Sequence, residues 1–403
     1  EQALTTLRRE YDLVIIEGAG SPVELNLASY DLVNMHIAHL AEAPVLLVGD
    51  IDRGGIFAAL LGTLMLLSPA DRARVRGLIV NKFRGDLSLW RSGEKLLEER
   101  SGVPVLGTIP FFKDMHIAEE DSVALDEGTA SVVQPHLTRE HANDLLEIVV
   151  VRLPYLSNYD EFDALALEPI VRLRFAAQPS EFPERPNLII LPGTKNTLAD
   201  LAWLWQQGLV QHIRRCARQG SAILGICGGY QMLGERVLDL AGVEAAAGVV
   251  EPGLNLLPVE TVFSPLSEKT TRLSNVQLTA TSARGILAHL HDQNFPAYQI
   301  HLGRTTAAAE LTGGYSPMFT VNGTDVDGWL SPDGWCAGCY LHGLFENDGF
   351  RHAVLAALAG RSSLRPGEPR TAHFDRQREY DKLADALCQH LDLARLKALC
   401  HLI

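Results

Sequence analysis

Five apolar residues, Ala222 to Ile226, run directly into Cys227-Gly228-Gly229-Tyr230-Gln231-Met232-Leu233. A short apolar run of this kind reads as a buried strand, and Tyr230 to Leu233 reads as the start of a helix. Few chain paths carry a strand into a helix across so tight a turn. The G-x-C-x-G frame at Gly225, Cys227 and Gly229 fits one of them, a nucleophile elbow. Glycines are needed there because the turn is strained and its backbone passes close to its neighbours. A thiol at the apex faces the positive end of the helix, which favours the thiolate. The N–H of Gly228 is then placed to hold an oxyanion.

A single buried cysteine is ordinarily a packing residue. The glycine frame argues otherwise, and so does a second run, Gly338-Cys339-Tyr340-Leu341-His342-Gly343-Leu344-Phe345-Glu346-Asn347. A thiol nucleophile needs a base, and a histidine distant in sequence can be near in space. His342 follows a short apolar, aromatic run and precedes a glycine, which places it at a strand end. The chain has 14 histidines. His342 is set apart by its pairing with the elbow.

The strings G-I-C-G-G-Y-Q-M-L-G and Y-L-H-G-L-F-E-N resemble the triad-type (class I) glutamine amidotransferase domain, in its cobalamin-pathway branch. The resemblance implies that Cys227 is the nucleophile and His342 its base. Domains of this type usually carry a glutamate two positions after the histidine; here Leu344 stands there. A continuous strand would point positions 342, 344 and 346 to one face, so Glu346 is a candidate orienting acid. The expectation is a Cys227–His342 dyad, with the Glu346 triad as its alternative.

With 403 residues, two domains are the natural division. The net charge of −14 argues against non-specific binding to nucleic acid or to an anionic membrane. The six cysteines have no framework spacing, and Cys336-x-x-Cys339 has no second pair to complete a zinc site. Reduced thiols and a cytoplasmic location follow. The apolar run Phe57 to Leu67 is too short to span a bilayer and fits a core helix.

The first third reads as repeated strand–loop–helix units. Strands are expected at Tyr11–Glu17, Pro44–Asp50, Gly77–Asn81 and Pro104–Ile109, with helices at Ile56–Leu67 and Ser92–Glu99. This is an α/β pattern with a parallel sheet, in which ligands bind at the carboxyl ends of strands. The polar residues there are Glu17-Gly-Ala-Gly20, Asp50-Ile-Asp52-Arg53-Gly-Gly55 and Asn81-Lys82-Phe83-Arg84-Gly-Asp86. Each loop alone is an ordinary turn or a solvated cluster; three on successive strand ends suggest a site. Glu17 and Asp50 are candidate Mg²⁺ ligands beside a nucleotide, and Asn81 and Lys82 candidate nucleotide contacts. Arg53 and Arg84 are candidates for meeting substrate carboxylates, with surface solvation equally open.

E-G-A-G-S-P-V-E-L-N-L, V-N-M, D-I-D-R-G-G-I-F and V-N-K-F-R-G-D resemble the ATP-dependent amidoligase domain of the cobyric acid synthase family, a domain similar to dethiobiotin synthetase and of the P-loop class. P-V-L-G-T-I-P, E-E-D-S-V-A-L and, further on, L-P-G-T-K-N-T continue the match. The resemblance implies glutamine- and ATP-dependent amidation of a corrinoid carboxylate substrate, adenosylcobyrinic acid a,c-diamide, at its b, d, e and g positions. ATP and Mg²⁺ are the implied cofactors, with none permanently bound. A related amidoligase with another carboxylate substrate, or a non-catalytic docking module, is the alternative. No G-x-x-x-x-G-K-[ST] string occurs, although that loop carries most phosphate contacts. An N-terminally incomplete ligase domain is therefore expected, with poor ATP binding and at most the glutaminase half retained. Tyr298-Gln299-Ile300-His301 departs from the family's pattern in having Gln299 where an acid is usual.

The expected organisation is a ligase remainder at 1–128, a linker at 129–144, the amidotransferase domain at 145–360 and a C-terminal helical tail at 361–403. Within the second domain, strands are expected at Glu147–Leu153 and Asn187–Gly193, and Gly193 is placed to give a second oxyanion amide. Glutamine and the carboxylate substrate are small molecules; no nucleic-acid or membrane partner is expected.

Overall fold

The structure, a computed structural model, describes residues 1–26, 31–112, 115, 145–263, 270–278, 283–290, 294–307, 313–362 and 375–400. The expected linker at 129–144 and the 119–125 motif lie outside the described residues. The chain divides into two compact units, Glu1–Ile117 with Asp375–Ile403, and Ala118–Phe374.

The first unit is built on a three-stranded parallel sheet in the order β1 (Val45–Asp50), β2 (Val75–Phe83), β3 (Val105–Pro110). Helices Ile56–Leu66 and Leu87–Ser101 connect the strands. The second begins at the cap Asp86, whose carboxylate accepts the Ser88 N–H, and stops at Gly102 in the left-handed region. It is longer than the expected Ser92–Glu99, beginning five residues earlier at Leu87 and ending two residues later at Ser101.

Residues 11–17 correct the sequence reading. They form no strand and pair with none among the described residues, and Tyr11, Leu13, Ile15 and Ile16 are exposed. An apolar run becomes a strand only where another strand accepts its hydrogen bonds.

The C-terminal helix Arg376–His390 belongs with this first unit. Leu387, Leu391, Leu396 and Leu399 cover Ile79, Leu106 and Ile109 on one face of the sheet. The Asp392 N–H donates to the Leu106 carbonyl at 2.7 Å. Gly107 permits the approach, since a Cβ there would collide with the His390 carbonyl. A parallel sheet needs cover on both faces, and this segment supplies part of it.

The second unit holds a ten-stranded sheet. Its strands in chain order are β4 (Leu146–Val151), β5 (Val171–Ala176), β6 (Leu188–Leu191) and β7 (Ala222–Ile226). After a side sheet formed by β8 (Arg236–Asp239), β9 (Val249–Pro252), β10 (Val259–Val262) and later β13 (Arg304–Ala307), the main sheet resumes. It continues through β11 (Thr270–Leu278), β12 (Phe295–His301), β14 (Ser316–Val321), β15 (Asp325–Leu330), β16 (Cys336–Cys339) and β17 (Leu341–His342). The spatial order is β17-β12-β11-β14-β15-β16-β7-β6-β4-β5. From β16 to β5 neighbours run parallel; the other half is antiparallel.

The parallel half explains its sequence. Every residue of β6 and β7 is buried, as the continuous apolar runs require when helices cover both faces. Helices Thr197–Gln206, Leu209–Arg218 and Asp348–Ser362 carry buried residues facing this core. No helix among the described residues is long and apolar enough to cross a membrane.

Candidate active site

The carboxyl ends of β4, β6, β7 and β16 converge, as expected for ligand sites in parallel sheets. β7 ends in Cys227, at φ 52 and ψ −111, in the positive-φ region that a non-glycine residue rarely enters. The surroundings hold it there. The Cys227 N–H donates to the Cys339 carbonyl at 2.8 Å, and its own carbonyl accepts the Gln231 N–H of the next helix turn at 3.1 Å. A Cβ at Gly229 would collide with the Leu191 carbonyl, and one at Gly225 would lie 2.7 Å from the Gly229 oxygen. The G-x-C-x-G frame is thus a packing requirement between β6, β7 and the helix Gly228–Leu233.

The elbow is backed by a hydrogen-bonded network. Gln231 accepts from the Thr197 hydroxyl at 2.9 Å and donates to the Leu302 carbonyl at 2.8 Å and to the Tyr340 hydroxyl at 3.2 Å. Tyr340 stacks on His301 at 3.7 Å between ring centroids. Burial pulls the His301 imidazolium down to about 4, so His301 is neutral at physiological pH.

The two glycines expected to form an oxyanion hole border this elbow. Gly228 is the first residue of its helix, so its N–H has no acceptor within the helix. A Cβ on it would lie against Thr194. Gly193 follows β6, and a Cβ there would come 3.0 Å from His342 Cε1.

His342 ends the two-residue strand β17, which pairs with β12 through Tyr298. It is 1% exposed. Burial pulls its imidazolium down, but the charge and hydrogen bond of Glu161, together with Cys227, outweigh it and hold His342 well above its ordinary value. The Cys227 thiol adds to that rise, and its Sγ also meets the Ile300 carbonyl at 3.5 Å. The expected pair is therefore brought together across 115 residues.

The acid on the far side of the ring is not the one anticipated. Glu161 Oε1 lies 3.1 Å from His342 Nδ1, and Oε2 accepts the Gly343 N–H at 3.3 Å. The strand that would have carried 342, 344 and 346 on one face stops at His342. Gly343, at φ 77, turns the chain into the 3₁₀ turn Leu344–Glu346. Glu346 is half-exposed on that turn, and its carbonyl accepts from Arg351.

Glu161 sits on the 3₁₀ turn Tyr159–Phe162 beyond the end of β4. Asn158, in the left-handed region, starts the turn. The Ser157 N–H donates to the Gly193 carbonyl at 3.0 Å. The signal that could have exposed Glu161 is its position: β4 neighbours β6, and a polar run at its carboxyl end belongs to the same crevice.

The departure at Gln299 also has a local reason. Its Oε1 accepts from Arg272 Nε at 2.6 Å, and its side chain hydrogen-bonds to Asp327. Asp327 is buried and its carboxyl is pushed up to about 7 by that burial. A second carboxylate at 299 would face the first.

In the first unit, the register of β1 with β2 sets Asp50 beside Asn81 at the carboxyl ends. Asp50 pairs with Lys82 Nζ at 3.3 Å and Arg53 Nε at 3.8 Å. Arg84 pairs with Asp52 at 2.5 Å and lies over the Phe111 ring at 3.4 Å. The Arg84 hydrogen bond holds the Asp52 carboxyl below its ordinary range. Both candidate arginines thus have acidic partners within the chain. Asn81 Oδ1 accepts the Lys82 N–H at 2.9 Å. Glu17 is exposed; the loop after it is held by Asn34, which exchanges hydrogen bonds with Ala19 at 3.1 and 2.9 Å.

Mg²⁺ on a nucleotide takes one or two carboxylates with the phosphates. The Asp50 carboxylate faces two cationic side chains, Lys82 and Arg53. Among the described residues no group of three His, Cys, Asp or Glu could hold a metal.

Comparison with known proteins agrees with this geometry. Residues 147–350 match the CobB/CobQ-like glutamine amidotransferase domain, and residues 1–118 match an AAA domain. The chain is 42% identical to the cobyric acid synthase of Dehalococcoides mccartyi over 98% of its length and 74% of that protein. It is 43% identical to that of Photorhabdus laumondii, over 97% of the chain and 74% of the relative. With the Chloroflexus aggregans protein of the same name it shares 47% identity over 88% of the chain and 68% of the relative. An α/β glutamine amidotransferase unit with its nucleophile elbow assembled, preceded by a parallel-sheet unit, and this likeness over nearly the whole sequence lead to one assignment: the chain belongs to the cobyric acid synthase family.

Proposed function

We propose that the second unit releases ammonia from glutamine through Cys227 and His342, and that the ammonia amidates corrinoid carboxylates in cobalamin biosynthesis. The observation that carries this reading is that Gly193 and the Cys227–Gly228 pair leave the carboxyl ends of the adjacent parallel strands β6 and β7, and that His342, from the antiparallel strand β17, comes against Gly193. The Cys227 thiol passes its proton to His342, and the sulfur attacks the side-chain carbonyl carbon of glutamine, forming a C–S bond. The amides of Gly228 and Gly193 hold the resulting oxyanion. His342 gives its proton to the leaving nitrogen, the C–N bond breaks and ammonia departs. Water, deprotonated by His342, then attacks the thioester; glutamate leaves and the thiol is restored.

The substrate proposed for the amidation is adenosylcobyrinic acid a,c-diamide, at its b, d, e and g carboxylates. ATP phosphorylates a carboxylate, and ammonia displaces the phosphate to leave an amide. For the polypeptide of residues 1–403, which contains no G-x-x-x-x-G-K-[ST] loop, the proposed activity is the glutaminase half.

The test is glutamate release by the 403-residue chain and by Cys227→Ser, with labelling by a glutamine-analogue electrophile. Release and labelling should both vanish in Cys227→Ser. Undiminished release in that variant would remove Cys227 from its role. Calorimetry with MgATP should show no tight binding to this chain; a tight complex would mean that other residues build a phosphate site.

A further inference from the structure

We propose that Glu161 is the positioning acid of the glutamine-hydrolysing site, fixing the tautomer and orientation in which His342 serves Cys227. The inference rests on the reading that Cys227 and His342 hydrolyse glutamine, and it supplies the member missing after His342, where Leu344 stands.

Both Glu161 and His342 are 1% exposed. A buried carboxylate is costly unless its oxygens are hydrogen-bonded. One oxygen of Glu161 meets His342 Nδ1, and the other takes the N–H of the residue directly after that histidine. The carboxylate therefore fixes the ring and the chain carrying it at once. With Nδ1 committed to an acid, it is Nε2 that is left to exchange a proton with the thiol.

The turn bearing Glu161 is tied to two other borders of the site. Ser157 bonds to the Gly193 carbonyl, and Asn158 Nδ2 donates to the Tyr298 hydroxyl at 2.8 Å. Tyr298 in turn stacks on His342.

Among the described residues, Glu161 on the 3₁₀ turn and Cys227 on the elbow act on the ring, His301 on β12 is coupled to it, and Tyr298 on β12 stacks on it and in turn feels Asp160 and Glu346. The carboxylate bonded to the ring is that of Glu161. Burial opposes the imidazolium, so loss of this carboxylate lets burial prevail and lowers the pH at which His342 loses its proton.

The experiment compares Glu161→Gln and Glu161→Asp with the wild type, using Cys227→Ser and His342→Ala as references. Glutamine hydrolysis is measured against pH, and folding is followed by thermal unfolding. Glu161→Gln should lower kcat by on the order of 10²–10³-fold with little change in KM. Its alkaline limb in kcat/KM should move at least about one pH unit downward. Glu161→Asp keeps the charge on a shorter arm; it should leave the alkaline limb in place and recover at least about tenfold of the lost kcat. A packing role alone would leave the pH profile of a folded variant unchanged. If Glu161→Gln does not fold, a wild-type alkaline limb with reduced kcat in Glu161→Asp supports the assignment, and a displaced limb there overturns it. Wild-type kcat and pH profile in Glu161→Gln, with both reference variants inactive, overturns this assignment alone. Activity retained in the reference variants overturns the reading of the site itself.

Discussion

Tyr298 lies nearly face to face with His342, with ring centroids 5.2 Å apart and planes 16° from parallel. Burial pushes the Tyr298 phenol up, and the charges of Glu161, Asp160 and Glu346 push the same way against the Asn158 hydrogen bond, so the ring stays neutral. The tyrosine therefore acts on the imidazole through its face, while its hydroxyl anchors Asn158. Removing each part separates the two. Tyr298→Phe should keep glutaminase kcat within about threefold. Tyr298→Ala, which uncovers the ring, should lower kcat by about 10–100-fold, a misplacement effect on a positioned base. Equal losses in both variants would assign the effect to the hydroxyl instead.

His342→Ala removes the base and should lower glutaminase turnover by roughly two to four orders of magnitude. Glu346→Gln should stay within about threefold of wild type, because Glu346 is half-exposed on the turn after β17 and the Nδ1 of the ring is taken by Glu161. Steady-state glutamate release checks both. A Glu346→Gln loss as large as that of His342→Ala would put Glu346 back beside the imidazole.

Asp200 gives a pH-dependent prediction. It is buried, accepting from the Thr194 hydroxyl at 2.5 Å and from the Tyr155 N–H at 3.2 Å. Burial pushes its carboxyl up to about 6 against those bonds. Nearby, burial pushes Glu244 up to about 7, and the charge of Asp200 adds to the rise. The folded value of Asp200 lies above the unfolded value of about 3.9. Its stabilising contribution is therefore full below the unfolded value and lost as pH rises through about 6. Asp200→Asn keeps the oxygen acceptor without the charge. It should raise the unfolding temperature at pH 8 by about 2–4 °C, the shift that roughly 1 kcal/mol makes in a domain of this size, and by much less at pH 4. A gain independent of pH would show that charge is not the cause.

Arg351 is buried without exposure, with Nε 2.6 Å from Glu168 Oε1, NH2 2.6 Å from Asp348 Oδ1 and NH1 2.8 Å from the Phe345 carbonyl. It braces the turn after His342. Arg351→Leu takes the guanidinium from buried Glu168, and should cost about 3–5 kcal/mol. Arg351→Leu combined with Glu168→Leu should cost less than the single change. Urea unfolding of both variants measures it; a double variant weaker than the single would show that packing, not the charge, governs the site.

What the sequence revealed follows from what is local. The elbow could be read because its requirements lie within nine residues: an apolar strand, a thiol, and glycines where Leu191 and Tyr230 press on the turn. The strands β1, β2 and β3 were legible for the same reason, being short apolar runs ending in polar residues. Residues 11–17 have the same composition but no partner strand among the described residues, and pairing is not a property of one segment. Glu161 was hidden differently. It stands 181 residues before His342, and its role is set by the turn that Asn158 begins. The dependence of β17 on a single pairing with β12 kept the Glu346 turn out of view as well.

The Cys227 N–H is bonded to a carbonyl on β16, more than a hundred residues further along the chain. The strained apex thus waits on a contact of long sequence separation, and contacts of that kind form late because closing the intervening loop is entropically costly. A nascent chain that has released residue 227 but not yet residue 339 carries the sulfur without its elbow, its histidine or the strand that bears it. The reactive geometry of Cys227 is in this sense an endpoint of folding, set by a residue 112 positions further along the chain.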